Sequence, residues 1–108
     1  MSGSGSGFGG GLSDDVAISC DRLIIETTIS SPKESVIAKL SANNFLQVEL
    51  EQVGATSVVV LMYQREKAGG ITHAQTNRLR ECIQGGTKYT ATVISKSDGQ
   101  VRVRIKPV

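Results

Sequence analysis

The chain has 108 residues, of which 39% are hydrophobic, and a formal net charge of +2, as expected for one small globular domain. Its longest apolar run, Val58–Tyr63, is too short for a transmembrane helix, and the N-terminus lacks the basic and apolar regions of a signal peptide. We therefore expect a cytoplasmic protein with no membrane partner.

The small net charge conceals two halves of opposite sign. Residues 1–51 carry three basic and seven acidic side chains, a net −4, whereas residues 52–108 carry nine basic and three acidic ones, a net +6. A basic half indicates an anionic partner such as nucleic acid. The alternative, which charge alone favours, is that the two halves attract each other within the fold.

Cys20 and Cys82 are the only cysteines, and His73 is the only histidine. Together they are too few for a four-ligand zinc site, and two cysteines are too few for a disulfide-stapled secreted scaffold. We expect both cysteines to be buried, unreactive thiols rather than catalytic or redox groups. No metal or cofactor is expected.

The N-terminal segment is dominated by glycine and serine. Residues 1–13 are predicted to be a flexible tail, because they hold too few apolar groups to offset the entropy of ordering. Residues 14–108 are predicted to be a single domain. Asp14–Cys20 contains a candidate short first strand. Arg22–Ser30 shows the alternation of a half-buried strand, with one face formed by Leu23, Ile25, Thr27 and Ile29.

A short helical turn is predicted next, with a structured loop as the alternative. Ser31–Glu34 has the capping-box pattern with proline at the first helical position, and Val36, Ile37 and Leu40 would pack inward. Phe45–Gln52 is then predicted as a strand that is apolar on one face. Ser57–Gln64, apolar on both faces, is predicted as the central strand, paired with its predecessor in a hairpin that turns at Gly54.

A polar loop is predicted over Gln64–Gly70, followed by a helix over Thr72–Gln84. The helix has a capping box at its start and an apolar stripe, and Gly85 is placed for a left-handed cap. The last two strands alternate around the turn Ser97–Gly99. Pro107 ends their pairing because proline has no amide hydrogen to donate.

These elements predict a mainly β fold, a small OB-like antiparallel β-barrel with one helix in the order β-β-β-α-β-β. Closure of such a sheet hides its edges. The predicted core consists of Leu23, Ile25, Leu46, Val48, Leu50, Val58, Val60, Met62, Leu79, Ile83, Ala91, Val93, Val103 and Ile105.

Several segments from Phe45 onward resemble those of a HIRAN domain. They are the strands LQVEL and VVVLMY, the Gly-Gly-Ile-Thr step, the helix RLRECIQGG and the strand YTATV. HIRAN domains are small barrels found in DNA-repair helicases and as stand-alone bacterial proteins, so the resemblance implies a HIRAN-like barrel that binds DNA. The family's longer binding loop before the central strand is replaced here by the short Gln52–Thr56. The resemblance therefore assigns no binding residue in that loop.

The best candidate site is a row of cations at alternate positions of the last strand. Arg102, Arg104 and Lys106 could follow a phosphate backbone, with Lys88 and Lys96 beside them and Tyr89 as a stacking platform. Alternatively, the row is a solvated edge or pairs with Glu49 and Glu51, and Tyr89 belongs to the core.

Catalysis is not expected, because no nucleophile can be paired with His73 from sequence, and an exposed or capping histidine is the simpler interpretation. Two hypotheses remain for function. The first is a binding module for single-stranded or end-exposed nucleic acid that uses the basic C-terminal hairpin. The second is a protein-interaction or assembly module that binds another protein or a second copy through an exposed strand edge.

Overall fold

The computed structural model describes residues 18–108. The predicted tail over residues 1–13 and most of the candidate strand in Asp14–Cys20 lie outside this range. The described chain begins with a 3-10 turn at Cys20–Arg22. The strands and helices that follow are β1 Ile25–Ser30, α1 Glu34–Ile37, β2 Phe45–Val53, β3 Thr56–Tyr63, β4 Glu66–Ile71, α2 Thr76–Gln84, β5 Tyr89–Ser97 and β6 Gln100–Pro107. No helix in this part of the chain is long and apolar enough to cross a membrane.

Six antiparallel strands form one sheet that closes on itself. The hydrogen-bonded order is β1-β4-β3-β2-β5-β6, and β6 pairs in turn with β1. The pairing is uneven around the ring, because β1 and β4 share only two residue pairs whereas β2 and β3 share seven. The predicted mainly β, antiparallel fold is confirmed, but the predicted strand order lacked one strand.

The missing strand is β4, which occupies most of the segment predicted as a polar loop. A two-residue turn at Gln64 and Arg65 joins it to β3, and both residues have positive φ, 50° and 72°. Such turns normally carry asparagine, aspartate or glycine, so this one has no sequence signature. All of the first five residues of β4, Glu-Lys-Ala-Gly-Gly, are residue types depleted in strands, so composition does not indicate a strand here either.

Gly69 is required where β4 passes close to the end of β1. A Cβ at this position would lie 2.5 Å from Ile29 Cγ2 and 2.7 Å from the carbonyl oxygen of Ser30, and the residue has φ +155°. Only glycine avoids this overlap, so Gly69 permits the narrow β1–β4 seam.

The core fills the inside of the closed sheet largely as the alternation predicts. The predicted core residues that are buried are Leu23, Ile25, Leu46, Val60, Leu79, Ala91, Val93, Val103 and Ile105. The face of β3 was predicted wrongly: Val59 and Leu61 belong to the core cluster, whereas Val58 is exposed and Met62 only half-buried. A run that is apolar on both faces carries no period-two information about which face points inward.

Both helices form, but neither has the predicted capping box. Lys33 and Gln75 occupy the N-cap positions, without side-chain caps. In the turn before α2, the Gln75 amide donates to His73 Nδ1 and the His73 amide donates to Thr76 Oγ1, each over 3.0 Å. The positive φ after α2 falls on Gly86 rather than on Gly85.

Cys20 and Cys82 form a disulfide bond that spans 62 positions of the chain, with their Cα atoms 5.5 Å apart. The prediction of two buried free thiols was therefore wrong, because the fold brings the 3-10 turn against α2, which sequence spacing does not reveal. Arg78 of α2 also donates to the Ile18 carbonyl over 3.2 Å, and the Tyr89 hydroxyl donates to the Cys20 carbonyl. The segment before β1 is thus fixed to both α2 and β5.

Candidate nucleic-acid interface

The three cations of β6 lie together on the outer face of the closed sheet. Arg102, Arg104 and Lys106 are exposed, while the residues between them point into the core. Alternate residues of a strand are about 6.7 Å apart, so this basic row is about 13 Å long. A row of cations on an exposed strand can follow the phosphate backbone of a single-stranded nucleic acid.

Only the middle member of the basic row has an acidic partner in the described part of the chain. Arg104 lies opposite Glu26 of β1, and its Nε donates to Glu26 Oε2 over 2.7 Å. Arg102 lies opposite Thr28, and Lys106 lies opposite Thr90 of β5. No ion pair within residues 18–108 includes Arg102 or Lys106.

The acidic residues considered as partners of this row lie elsewhere. Glu51 binds Lys67 of β4 over 2.9 Å, and Glu49 takes part in no ion pair among the described residues. The pair that does form, Glu26–Arg104, has side chains about half exposed, so it contributes little to stability.

Lys96 does not extend the basic row. Its Nζ donates to the carbonyls of Ile37 and Leu40, over 2.9 and 3.1 Å, where α1 ends. A bulge between Val93 and Ser95 shifts the register there, so that Lys96 lies opposite the buried Val101. Lys96 is therefore not on the face of the sheet that carries Arg102. Its charge therefore satisfies backbone carbonyls at the end of a helix.

Lys88 is exposed just before β5, beyond the Lys106 end of the basic row. It lines an open cavity of about 520 Å³ between β2 and the start of β5, together with Glu49, Tyr89 and Val108. The proximity of Glu49 offsets part of the positive charge at this end.

Tyr89 is a core residue, the second of the two interpretations left open by the sequence. Its ring is buried and its hydroxyl is bonded to the Cys20 carbonyl. Burial raises the pKa of the Tyr89 phenol, while the positive charge of Arg78 opposes the shift. A ring in this position cannot serve as a platform for bases.

An aromatic platform is nevertheless present, at a residue that the sequence reasoning did not single out. Phe45, the first residue of β2, is 67% exposed. It lies opposite Thr92 of β5, which in turn lies opposite Arg104 of β6. The alternation of Phe-Leu-Gln-Val-Glu-Leu could have located it, because inward Leu46 and Val48 place Phe45 on the outer face.

The basic row and Phe45 thus share one surface, which we call the outer β6–β5–β2 face: Arg102, Arg104, Lys106, Thr90, Thr92 and Phe45. Thr90 and Thr92 are half-buried and lie between the basic row and Phe45.

The chain matches no protein-family model, and comparisons with curated proteins and with solved structures give no match either. The HIRAN resemblance therefore stays a prediction.

Proposed function

We propose that this domain binds single-stranded or end-exposed nucleic acid through the outer β6–β5–β2 face. The observation that carries the proposal is the basic row, in which Arg102 and Lys106 are exposed without an acidic partner among the described residues. A binding role is favoured over catalysis because the single histidine, His73, holds the turn before α2 with both its amide and its ring nitrogen. The OB-like and HIRAN-like architecture belongs to the same proposal.

The expected binding is weak and sensitive to salt. Two to three phosphate contacts to a single strand give a slope of about −1.4 to −2.1 in a plot of log affinity against log salt. A site of this size suits a module that acts beside other binding surfaces, since so few contacts leave affinity low at physiological salt.

The test is an amide chemical-shift titration with a mixed-sequence single-stranded oligonucleotide at low and moderate salt. Shifts should cluster on residues 88–96 and 101–106 and fade as salt rises. The double variant Arg102→Glu with Lys106→Glu should abolish them. Lys33→Glu with Lys39→Glu, an equal charge change at exposed residues that lie beside β4, is the matched control. Equal binding by the two double variants would refute the proposal.

A second candidate function, assembly with another protein or a second copy, is supported by a strand edge that lacks a strand partner among the described residues. In β2, only Phe45, Leu46 and Gln47 pair with β5, so Glu49–Val53 is paired on the β3 side alone. An edge of this kind can accept an added strand. Sedimentation over a wide concentration range tests this function, and a monomer at every concentration with no shifts in Glu49–Val53 would exclude self-assembly.

The disulfide argues against the cytoplasmic location expected from the sequence. Reducing systems keep most cytosolic thiols unpaired, whereas disulfides persist in oxidising compartments. We infer that the chain works where the Cys20–Cys82 bond survives, and that any nucleic-acid ligand is met there. Thiol alkylation of acid-quenched source cells tests this inference. Modification of both cysteines would show that the bond is absent in the cell and would favour the cytoplasmic location expected from the sequence.

A further inference from the structure

We propose that Phe45 stacks on one unpaired base of a single strand whose phosphates follow the basic row of β6. This inference rests on the proposed function and adds a base subsite to it. It also makes the site selective for single-stranded nucleic acid, because the faces of a paired base inside a duplex are already covered by its neighbours.

The geometry that carries the inference is a single cross-strand line. Phe45, Thr92 and Arg104 are consecutive partners on β2, β5 and β6. Two strand spacings of about 4.8 Å place Phe45 about 10 Å from the line of β6, which is a phosphate-to-base reach. Thr90 and Thr92 are the outward residues of β5 between them, and these short, half-buried side chains leave the path open.

The surroundings of Phe45 fit a nucleobase better than a phosphate or a sugar. Ile94, the extra residue of the β5 bulge, is 37% exposed and lies diagonally from Phe45 across the β2–β5 pair, adding apolar surface. Gln47 is exposed on the same face of β2, two residues on, and its amide can both donate to and accept from a base edge. The basic row of β6, the short threonine side chains of β5 and the aromatic ring of Phe45 thus follow one another across the sheet.

The opposite side of β6 lacks these properties. Glu26 lies there beside Arg104, and its carboxylate would repel a phosphate or the electron-rich edge of a base. Ile24 is 57% exposed just before β1, but it is aliphatic. The bases should therefore lie over β5 and β2, and the strand should have one orientation across the sheet.

The experiment uses the absence of tryptophan from the chain. Phe45→Trp introduces a single fluorescent reporter at the proposed subsite, and Ile24→Trp introduces one on the opposite side of β6 as the matched control. Titration with oligothymidylate should quench the emission of the Phe45→Trp variant and leave that of the Ile24→Trp variant unchanged. Quenching in Ile24→Trp alone would overturn the proposed path of the bases.

Affinity measurements complete the test, with oligothymidylate and a blunt duplex of the same length as probes. Phe45→Ala should weaken single-strand binding about tenfold, within the range for loss of one stacked base, and leave duplex binding and the salt slope unchanged. Equal single-strand binding by Phe45→Ala and the parent would overturn the base subsite alone. No binding of either probe by the parent would overturn the proposed function itself.

Discussion

Arg104 and Glu26 lie directly opposite each other on β6 and β1, and the Arg104 Nε donates to Glu26 Oε2 over 2.7 Å. This pair occupies the centre of the basic row, so one carboxylate cancels the middle charge of the surface that we assign to phosphate binding. Because the two side chains are about half exposed, the pair can exchange partners without unfolding the sheet.

Glu26→Gln should therefore strengthen binding of single-stranded nucleic acid about threefold and steepen the salt slope by up to one phosphate contact, about 0.7. Removal of the carboxylate frees Arg104, while loss of an exposed pair should change stability by less than about 1 kcal/mol. Affinity measured across a salt series checks both quantities. Glu66→Gln, which breaks the similarly exposed Lys39–Glu66 pair on β4, is the control and should leave binding unchanged. A slope that stays constant in Glu26→Gln would exclude Arg104 from the phosphate contacts.

The disulfide should contribute strongly to stability. Closing a loop of 62 residues lowers the entropy of the unfolded chain enough to stabilise the fold by about 4 kcal/mol in the chain-entropy model. Denaturant unfolding with and without a dithiol reductant should show a large downward shift of the midpoint. Cys20→Ser with Cys82→Ser should reproduce the reduced midpoint and no longer respond to reductant. Identical midpoints in both conditions would show that the bond is absent or energetically neutral.

Gly69 should be the least replaceable glycine among the described residues. Gly69→Ala forces a Cβ against Ile29 and the Ser30 carbonyl, and we expect a loss of about 2–4 kcal/mol from overlap and backbone strain. Gly54→Ala is the control, because Gly54 also has positive φ but has open space around its Cβ position. Its expected cost is about 1 kcal/mol, from left-handed backbone alone. Similar unfolding midpoints for the two variants would mean that β1 and β4 can move apart to accommodate the Cβ at little cost in stability.

Strong alternation allowed most of this architecture to be predicted from sequence. Arg22–Ser30, Phe45–Gln52 and the last hairpin show period-two patterns, and the turn of that hairpin has recognisable chemistry in Asp98-Gly99, where both residues adopt positive φ. β4 was missed because its entry turn, Gln64-Arg65, adopts the same kind of conformation without the residues that favour it. Local pattern could not reveal that tertiary pairing holds a polar, glycine-rich segment in the sheet.

The candidate site was only partly predictable for a related reason. The alternation of β6 placed the basic row on one face, as the structure shows. The bulge that turns Lys96 toward α1, and the pairing of Arg104 with Glu26, depend on strand neighbours that sequence does not specify. The disulfide likewise depends on how the closed sheet positions α2.

Tyr89 gives a prediction for alkaline pH. Tyr89→Phe should cost about 1 kcal/mol near neutral pH, because the hydrogen bond to the Cys20 carbonyl is lost. Burial raises the pKa of this phenol above its ordinary value of about 10, so the folded protein keeps the proton where the unfolded chain releases it. The stability that depends on the protonated phenol is fully present below pH 10 and is lost as pH rises through the pKa of Tyr89 in the folded state. The parent should therefore lose stability faster than Tyr89→Phe above pH 10, and the gap between their denaturant midpoints should close. A gap that stays constant from neutral to alkaline pH would show that Tyr89 ionises equally in both states, and would contradict its burial against Cys20.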